Sequence, residues 1–146
     1  MIAYVDSSVL ARAYLSDEEG HSSAAALLTD LDLGVITGGW SRIEVSGAIV
    51  RAGRAGRCDS PTLLAALDED LDVEGPVTVM AVPQPDVEEK ALDVVREHGC
   101  RAMDAWHLAV AALILPELAE AGETPGFATR DAEQGRIAET LGFQVI

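Results

Sequence analysis

Lysine occurs once in the 146-residue chain, at Lys90, and the formal net charge is −15. Free binding to nucleic acid relies on Lys and Arg neutralising phosphates, so bulk electrostatics disfavour it here. Two routes stay open. Either the partner is basic or a metal ion, or a substrate is met through a local patch. The patch the sequence offers is Arg51, Arg54 and Arg57 in RAGRAGR, with Arg42 and Arg12 elsewhere. Those arginines equally suit a solvated helix end, where the dipole favours cations.

Other scarcities narrow the classes further. Cys58 and Cys100 are the two cysteines; they form no CxxC, and no His/Cys spacing suits zinc. A reducing, cytoplasmic setting is the natural reading. Aromatics are 4% of residues, so the core must be built from Ala, Leu, Val and Ile. No apolar run approaches the ~18 residues of a membrane span; Ala105–Leu115 is the longest, and His107 interrupts it. The start, MIAYVDSSVL, lacks a basic leader region and reads as a first strand. RAGRAGR follows a helix and is not GxGxxG, so a dinucleotide site fails its context test. No GxSxG elbow supports serine hydrolase chemistry.

What is present reads as a single domain over 1–146, large enough to bury about 68–70% of its unfolded surface. Strands are expected at 2–5, 35–37, 77–82, 126–129 and 143–146. Helices are expected from Ser7 or Ser8 to Leu15, and over 22–31, 41–51, 60–71, 85–99, 101–115 and 131–141. Ser60-Pro61 pairs a cap with proline at the first helical position. Alternating strands and helices imply an α/β three-layer sandwich: a mainly parallel sheet of four to five strands with helices on both faces. Ligands of such sheets bind beyond the carboxyl ends of the strands.

Four acids mark the ends of apolar runs: Asp6, Glu44, Asp104 and Asp131. Cores exclude carboxylates unless these are paired or bind metal. Each also has a local structural explanation. Asp6 and Asp131 can cap the helices that follow them. Ser41-Arg-Ile-Glu44 matches a capping box. Asp104 lies in a first helical turn, where the dipole favours acids. Jointly they imply more, because a doubly wound sheet brings them to one edge. Two carboxylates at about 4 Å repel by roughly 4 kcal/mol at an effective dielectric of 20. Such a cluster takes up protons or a cation. Oxygen-only ligation points to Mg²⁺ or Mn²⁺, which can activate a water as nucleophile. His107 stands three residues after Asp104, a spacing that could pair them as ligands, but a helical His among apolar residues reads first as a hydrogen-bonded core or interface group.

The segments YVDSSVLARAYL, SRIEVSGAIVRA, RAMDAWHLAVAA and FATRDAEQGRIAETLGFQVI, in this order and spacing, resemble the PIN-domain ribonucleases, and within them the VapC-type toxins of bacterial toxin–antitoxin pairs. The resemblance covers essentially the whole chain. It implies that Asp6, Glu44, Asp104 and Asp131 are the catalytic acids and hold one or two Mg²⁺ or Mn²⁺ ions for RNA hydrolysis, leaving a 3′-hydroxyl and a 5′-phosphate. Asp6 and Asp104 would be the firmest ligands, and Ser8 and Thr129 would support the acids or touch the phosphate. It also implies a homodimer and a small cognate antitoxin, which suits the acidic charge. One departure is the segment LPELAEAGETPG, longer than expected before the Phe127 strand, which would alter the rim of the site.

A different α/β phosphoryl-chemistry domain is the alternative. A receiver needs an acidic pair at strand one, an Asp after a central strand and a late Lys, and a phosphatase needs Asp-x-Asp. The chain reads Asp6-Ser7-Ser8, has no Asp directly after 77–82, and its lysine comes too early. A non-catalytic interaction module would leave an idle acidic cluster that costs stability.

Overall fold

The computed structural model describes all 146 residues. Its five strands are β1 (Ile2–Val5), β2 (Gly34–Gly38), β3 (Val77–Met80), β4 (Gly126–Ala128) and β5 (Gln144–Val145). Every pairing is parallel, in the order β3-β2-β1-β4-β5. Seven helices connect them: α1 (Ser7–Tyr14), α2 (His21–Thr29), α3 (Trp40–Arg54), α4 (Ser60–Asp70), α5 (Gln84–His98), α6 (Ala102–Leu118) and α7 (Ala132–Thr140). The expected α/β sandwich is the one observed, with a wholly parallel sheet.

Alternation along the strands divides the core in two. Tyr4, Ile36 and Phe127 face α5, α6 and α7, where they meet Val87, Val94, Leu108, Leu115 and Ile137. Val5, Val35, Val77 and Ala128 face the opposite way, onto Val9, Leu10, Val45, Ile49 and Leu67 of α1, α3 and α4. With few aromatics available, Tyr4 and Phe127 stack at the sheet centre, ring centroids 5.5 Å apart. Helix α6 is apolar on nearly all sides because it lies in the larger cluster, with Ala105, Leu108, Ala109 and Ala111 fully buried.

The chain steps outward from β1 to β3, then crosses the other face through α5 and α6 to β4, on the far side of β1. The reversal places a topological switch point between the carboxyl ends of β1 and β4. Asp6 follows one of these strands, and Thr129 to Asp131 follow the other. Gly99, at φ 71°, ends α5 in the left-handed region, and the turn delivers Arg101 as the residue before α6.

Several element ends differ from expectation: β3 closes at Met80 instead of residue 82, α2 closes at Thr29 instead of residue 31, and two helices run longer. α3 continues past Arg51 to Arg54, and α6 continues one turn through Pro116 to Leu118, since proline near a helix end forfeits one hydrogen bond and not the whole turn. The connection to β4 is thereby reduced to residues 119–125. Its Glu123 accepts from the Ile2 N–H and pairs with the amino terminus at 3.2 Å. That anchors the segment at the amino end of β1, opposite Asp6, so the LPELAEAGETPG stretch does not form the rim of the site. No helix is long and apolar enough to cross a membrane.

Candidate active site

Asp6 is 4% exposed and caps α1, accepting from the Val9 N–H at 3.0 Å. The Ser8 hydroxyl lies 2.8 and 3.0 Å from its two oxygens. Thr129 Oγ1 is 3.0 Å from Asp6 Oδ2 and 2.6 Å from Gln134 Oε1, with one proton to share between them. Burial pushes the Asp6 carboxyl above its ordinary range; the hydrogen bonds from Val9, Ser8 and Thr129 act the other way without cancelling it.

Asp131 caps α7, with Oδ1 accepting from the N–H groups of Glu133 and Gln134. The Gln134 N–H comes first among the causes that hold its carboxyl below the ordinary range, joined by Glu133 and the Arg101 guanidinium against a small burial effect. Asp104 projects from the first turn of α6. Gln134, buried on α7, donates to the Asp104 carbonyl at 3.3 Å and so ties α7 to α6 beside the acids.

These three carboxylates share one pocket of about 220 Å³, lined by Asp6, Ser8, Arg12, Arg101, Asp104, Arg130 and Asp131. A larger adjoining concavity of about 530 Å³ shares Arg130 and Asp131, includes Thr129 and extends along α7 to Arg136. The capping and clustering explanations of Asp6 and Asp131 are therefore compatible: Oδ1 of each accepts from its helix, while Oδ2 meets Ser8 and Thr129 in Asp6 and Arg101 in Asp131.

Glu44 stands apart from this pocket. Its Oε2 accepts from Ser7 Oγ at 2.5 Å and from His107 Nε2 at 2.7 Å. Burial raises its carboxyl, but the His107 and Ser7 hydrogen bonds outweigh that and hold it below its ordinary value. The expected convergence of four acids is thus three carboxylates in one pocket and a neighbouring Glu44–His107 pair, joined to the Asp6 side through Ser7. The capping-box explanation of Glu44 does not hold, because α3 begins at Trp40 and the Ser41 hydroxyl is turned to Thr37 at 2.6 Å.

Behind the pair, His107 Nδ1 lies 2.7 Å from the Tyr4 hydroxyl, which also accepts from the Gly38 N–H at 3.1 Å. One proton arrangement satisfies the set: Tyr4 O–H donates to Nδ1, and Nε2–H donates to Glu44. His107 is buried and hydrogen-bonded, not a pocket-lining ligand. Gly38 is required by close approach, since a Cβ there would lie 2.7 Å from the Trp106 ring and 2.9 Å from the Tyr4 hydroxyl.

The arginines differ most from expectation. Arg57 is held by Asp17 and Glu18, and Arg42 by Asp68 and the Leu71 carbonyl. Arg51 and Arg54 occupy the last turn of α3, and none of the four lines the pocket. Arg12 does, together with Arg101 and Arg130, which the sequence pattern left unremarked. A signal for Arg101 existed: an opposite charge three residues before Asp104 at a helix start.

The pocket donors are carboxylate and hydroxyl oxygens, with no His or Cys among them, the set a hard divalent cation takes. No three His, Cys, Asp or Glu side chains form a preassembled cage. Mg²⁺ needs none, because it is held through one or two carboxylates and keeps several waters. The residues present therefore fit such an ion.

The family model described as PIN domain matches residues 3–139. Among solved structures, the chain is similar to FitAcB from Neisseria gonorrhoeae at 19% identity, with a TM-score of 0.52 over 100% of this chain and 96% of that chain; this likeness speaks for the fold. No curated protein sequence matches. The chain belongs to the PIN-domain family, whose members are generally metal-dependent nucleases.

Proposed function

We propose that the chain is a Mg²⁺- or Mn²⁺-dependent endoribonuclease and the toxin of a toxin–antitoxin pair. The observation that carries the catalytic part is the meeting of Asp6, Asp104 and Asp131 with Ser8 in one arginine-rimmed pocket at the sheet's switch point. Asp6, Asp104 and Asp131 hold the cation. When bound, the ion supplies positive charge against the phosphate and a nucleophile from water at neutral pH. Ser8 and Thr129 orient the Asp6 oxygens. Glu44, kept ionised by His107 and Ser7, serves as a negative group beside the pocket that orients water or completes a second metal position. Arg12 and Arg130 face the phosphate backbone, supplying locally the charge that the whole chain lacks.

The toxin assignment is supported by the resemblance of the four acidic segments to VapC-type chains. A small antitoxin with basic side chains suits the net charge of −15. A homodimer is supported by an apolar recess of about 260 Å³ lined by Trp40, Ile43, Met80, Val82, Trp106 and Val110, with Ile43 65% exposed. Free Cys58 and Cys100 suit a reducing, cytoplasmic location.

The test is cleavage of structured and unstructured RNA by the purified chain after chelation and re-addition of Mg²⁺ or Mn²⁺. The expected products carry 3′-hydroxyl and 5′-phosphate ends, and Asp104→Asn reduces cleavage to background. Full activity in Asp104→Asn, or in EDTA, rejects the assignment.

A further inference from the structure

One guanidinium closes the outer side of the pocket. Arg101 Nε–H donates to Asp104 Oδ2 at 2.9 Å, and its Nη2–H donates to Asp131 Oδ2 at 2.8 Å. The two acids come from different elements, the start of α6 and the turn after β4. A planar fork with donors at fixed angles can hold both at once, which a point charge on a flexible stem does less well. Arg101 is the one basic side chain bonded to the pocket carboxylates. Arg12 donates to the Ser8 carbonyl, and Arg130 to the carbonyls of Thr129 and Ile146.

The same carboxylates belong to the oxygen set that suits a divalent cation. An ion that uses Asp131 meets Arg101 at Oδ2, because Oδ1 already accepts from the first turn of α7, and at Asp104 it meets the same guanidinium on Oδ2. The Arg101 side chain is 77% exposed, so solvent screens its bonds and no packing is lost when it leaves. Its partners Asp104 and Asp131 are 22% and 32% exposed and stay held by their own helices. The exchangeable member of the trio is therefore the arginine.

We propose that Arg101 is an internal competitor for the divalent ion. In the metal-free chain its guanidinium neutralises Asp104 and Asp131 and keeps them together, and it is displaced when these carboxylates take up a cation. Arg101 thus sets the metal affinity of the site as a positioning residue. The proposal rests on the metal-dependent reading given above.

The test measures Mn²⁺ binding to the metal-free full chain by calorimetry, without RNA, in wild type, Arg101→Gln, Arg101→Lys and Arg42→Gln. The last variant removes the same charge from an exposed arginine paired with Asp68, and so reports the general effect of one lost positive charge. Arg101→Gln is expected to bind Mn²⁺ about three- to tenfold more tightly than wild type, the scale of two exposed ion pairs removed from competition. Arg101→Lys should fall between them, and Arg42→Gln should change affinity about twofold or less. A gain in affinity is a readout that structural damage would not produce. Equal affinity in wild type and Arg101→Gln, weaker binding in Arg101→Gln, or a gain no larger than that of Arg42→Gln overturns the competition while leaving the metal-dependent reading intact. Absence of Mn²⁺ binding in both wild type and Arg101→Gln overturns both.

Discussion

The His107 Nε2 proton is directed at Glu44 Oε2, 2.7 Å away, although 63 positions separate the two residues in sequence. The bond joins α6 to α3 across the carboxyl end of the sheet, and Tyr4 of β1 backs it from the other ring nitrogen. Glu44 is thereby fixed in place and held ionised next to the acidic pocket, outside its lining.

Removing the Tyr4 hydroxyl tests this network. Tyr4→Phe keeps the ring stacked on Phe127 but leaves the Gly38 N–H and His107 Nδ1 without a buried partner. Unsatisfied buried groups cost about 1–3 kcal/mol each. Urea unfolding is expected to show a loss of at least about 2 kcal/mol at an unchanged denaturant slope. Wild-type stability in Tyr4→Phe would mean that the chain from Tyr4 to Glu44 is not formed.

Asp6→Asn separates stability from function. Burial raises the Asp6 carboxyl, so the stability it contributes is fully present below the ordinary carboxylate range and is lost as pH rises through the raised value. Glu44 and Asp131 are shifted down; their contributions are present above the ordinary range and lost as pH falls through the lowered values. Those two effects are common to both proteins and cancel in the comparison. Asparagine caps a helix as well as aspartate does. In EDTA at neutral pH the variant is therefore expected to melt at the wild-type temperature or a few degrees above it, and the difference should shrink toward about pH 3, where Asp6 is protonated. Metal-dependent cleavage should be lost throughout. A variant less stable than wild type at neutral pH would contradict the burial argument.

The concavity beside the acidic pocket carries Arg130 and Arg136. If a single strand runs along it, Arg136→Gln weakens RNA binding and reduces the salt slope by about 0.7, the value for one phosphate contact with single-stranded nucleic acid. Mn²⁺ affinity should stay within about twofold of wild type, as expected for a charge screened from the ion by distance and salt. Fluorescence anisotropy of a labelled RNA across a salt series reads the slope; an unchanged slope removes Arg136 from the binding path.

Much of this arrangement was legible in the residues. Asp6 and Asp131 each follow an apolar strand, and parallel strands put both at one sheet edge without any knowledge of the long-range pairing. Ser8 and Thr129, expected beside the acids, lie within hydrogen-bond distance of Asp6. The buried Gln134 could have been found as well, because it shares the spacing of Ile137, Ala138 and Leu141 on the inner face of α7. Glu44 could not be placed in the same way. Ser41-x-x-Glu44 has the local form of a capping box, and only tertiary packing sets His107 opposite it. The arginines misled for a related reason: RAGRAGR is conspicuous as a sequence run but sits in the last turn of α3 and beyond it. Arg12, Arg101 and Arg130 are isolated in sequence and are gathered around the acids by the fold.

The central claim is that Asp6, Asp104 and Asp131 hold a divalent cation. Its most direct test is the anomalous difference map of a crystal of the chain soaked in Mn²⁺. The account predicts a peak within ligand distance, about 2.0–2.3 Å, of oxygens from at least two of these three carboxylates, with the Arg101 guanidinium moved away. Mn²⁺ bound at the Glu44–His107 pair alone, or an ordered pocket that takes none at saturating concentration, would contradict it.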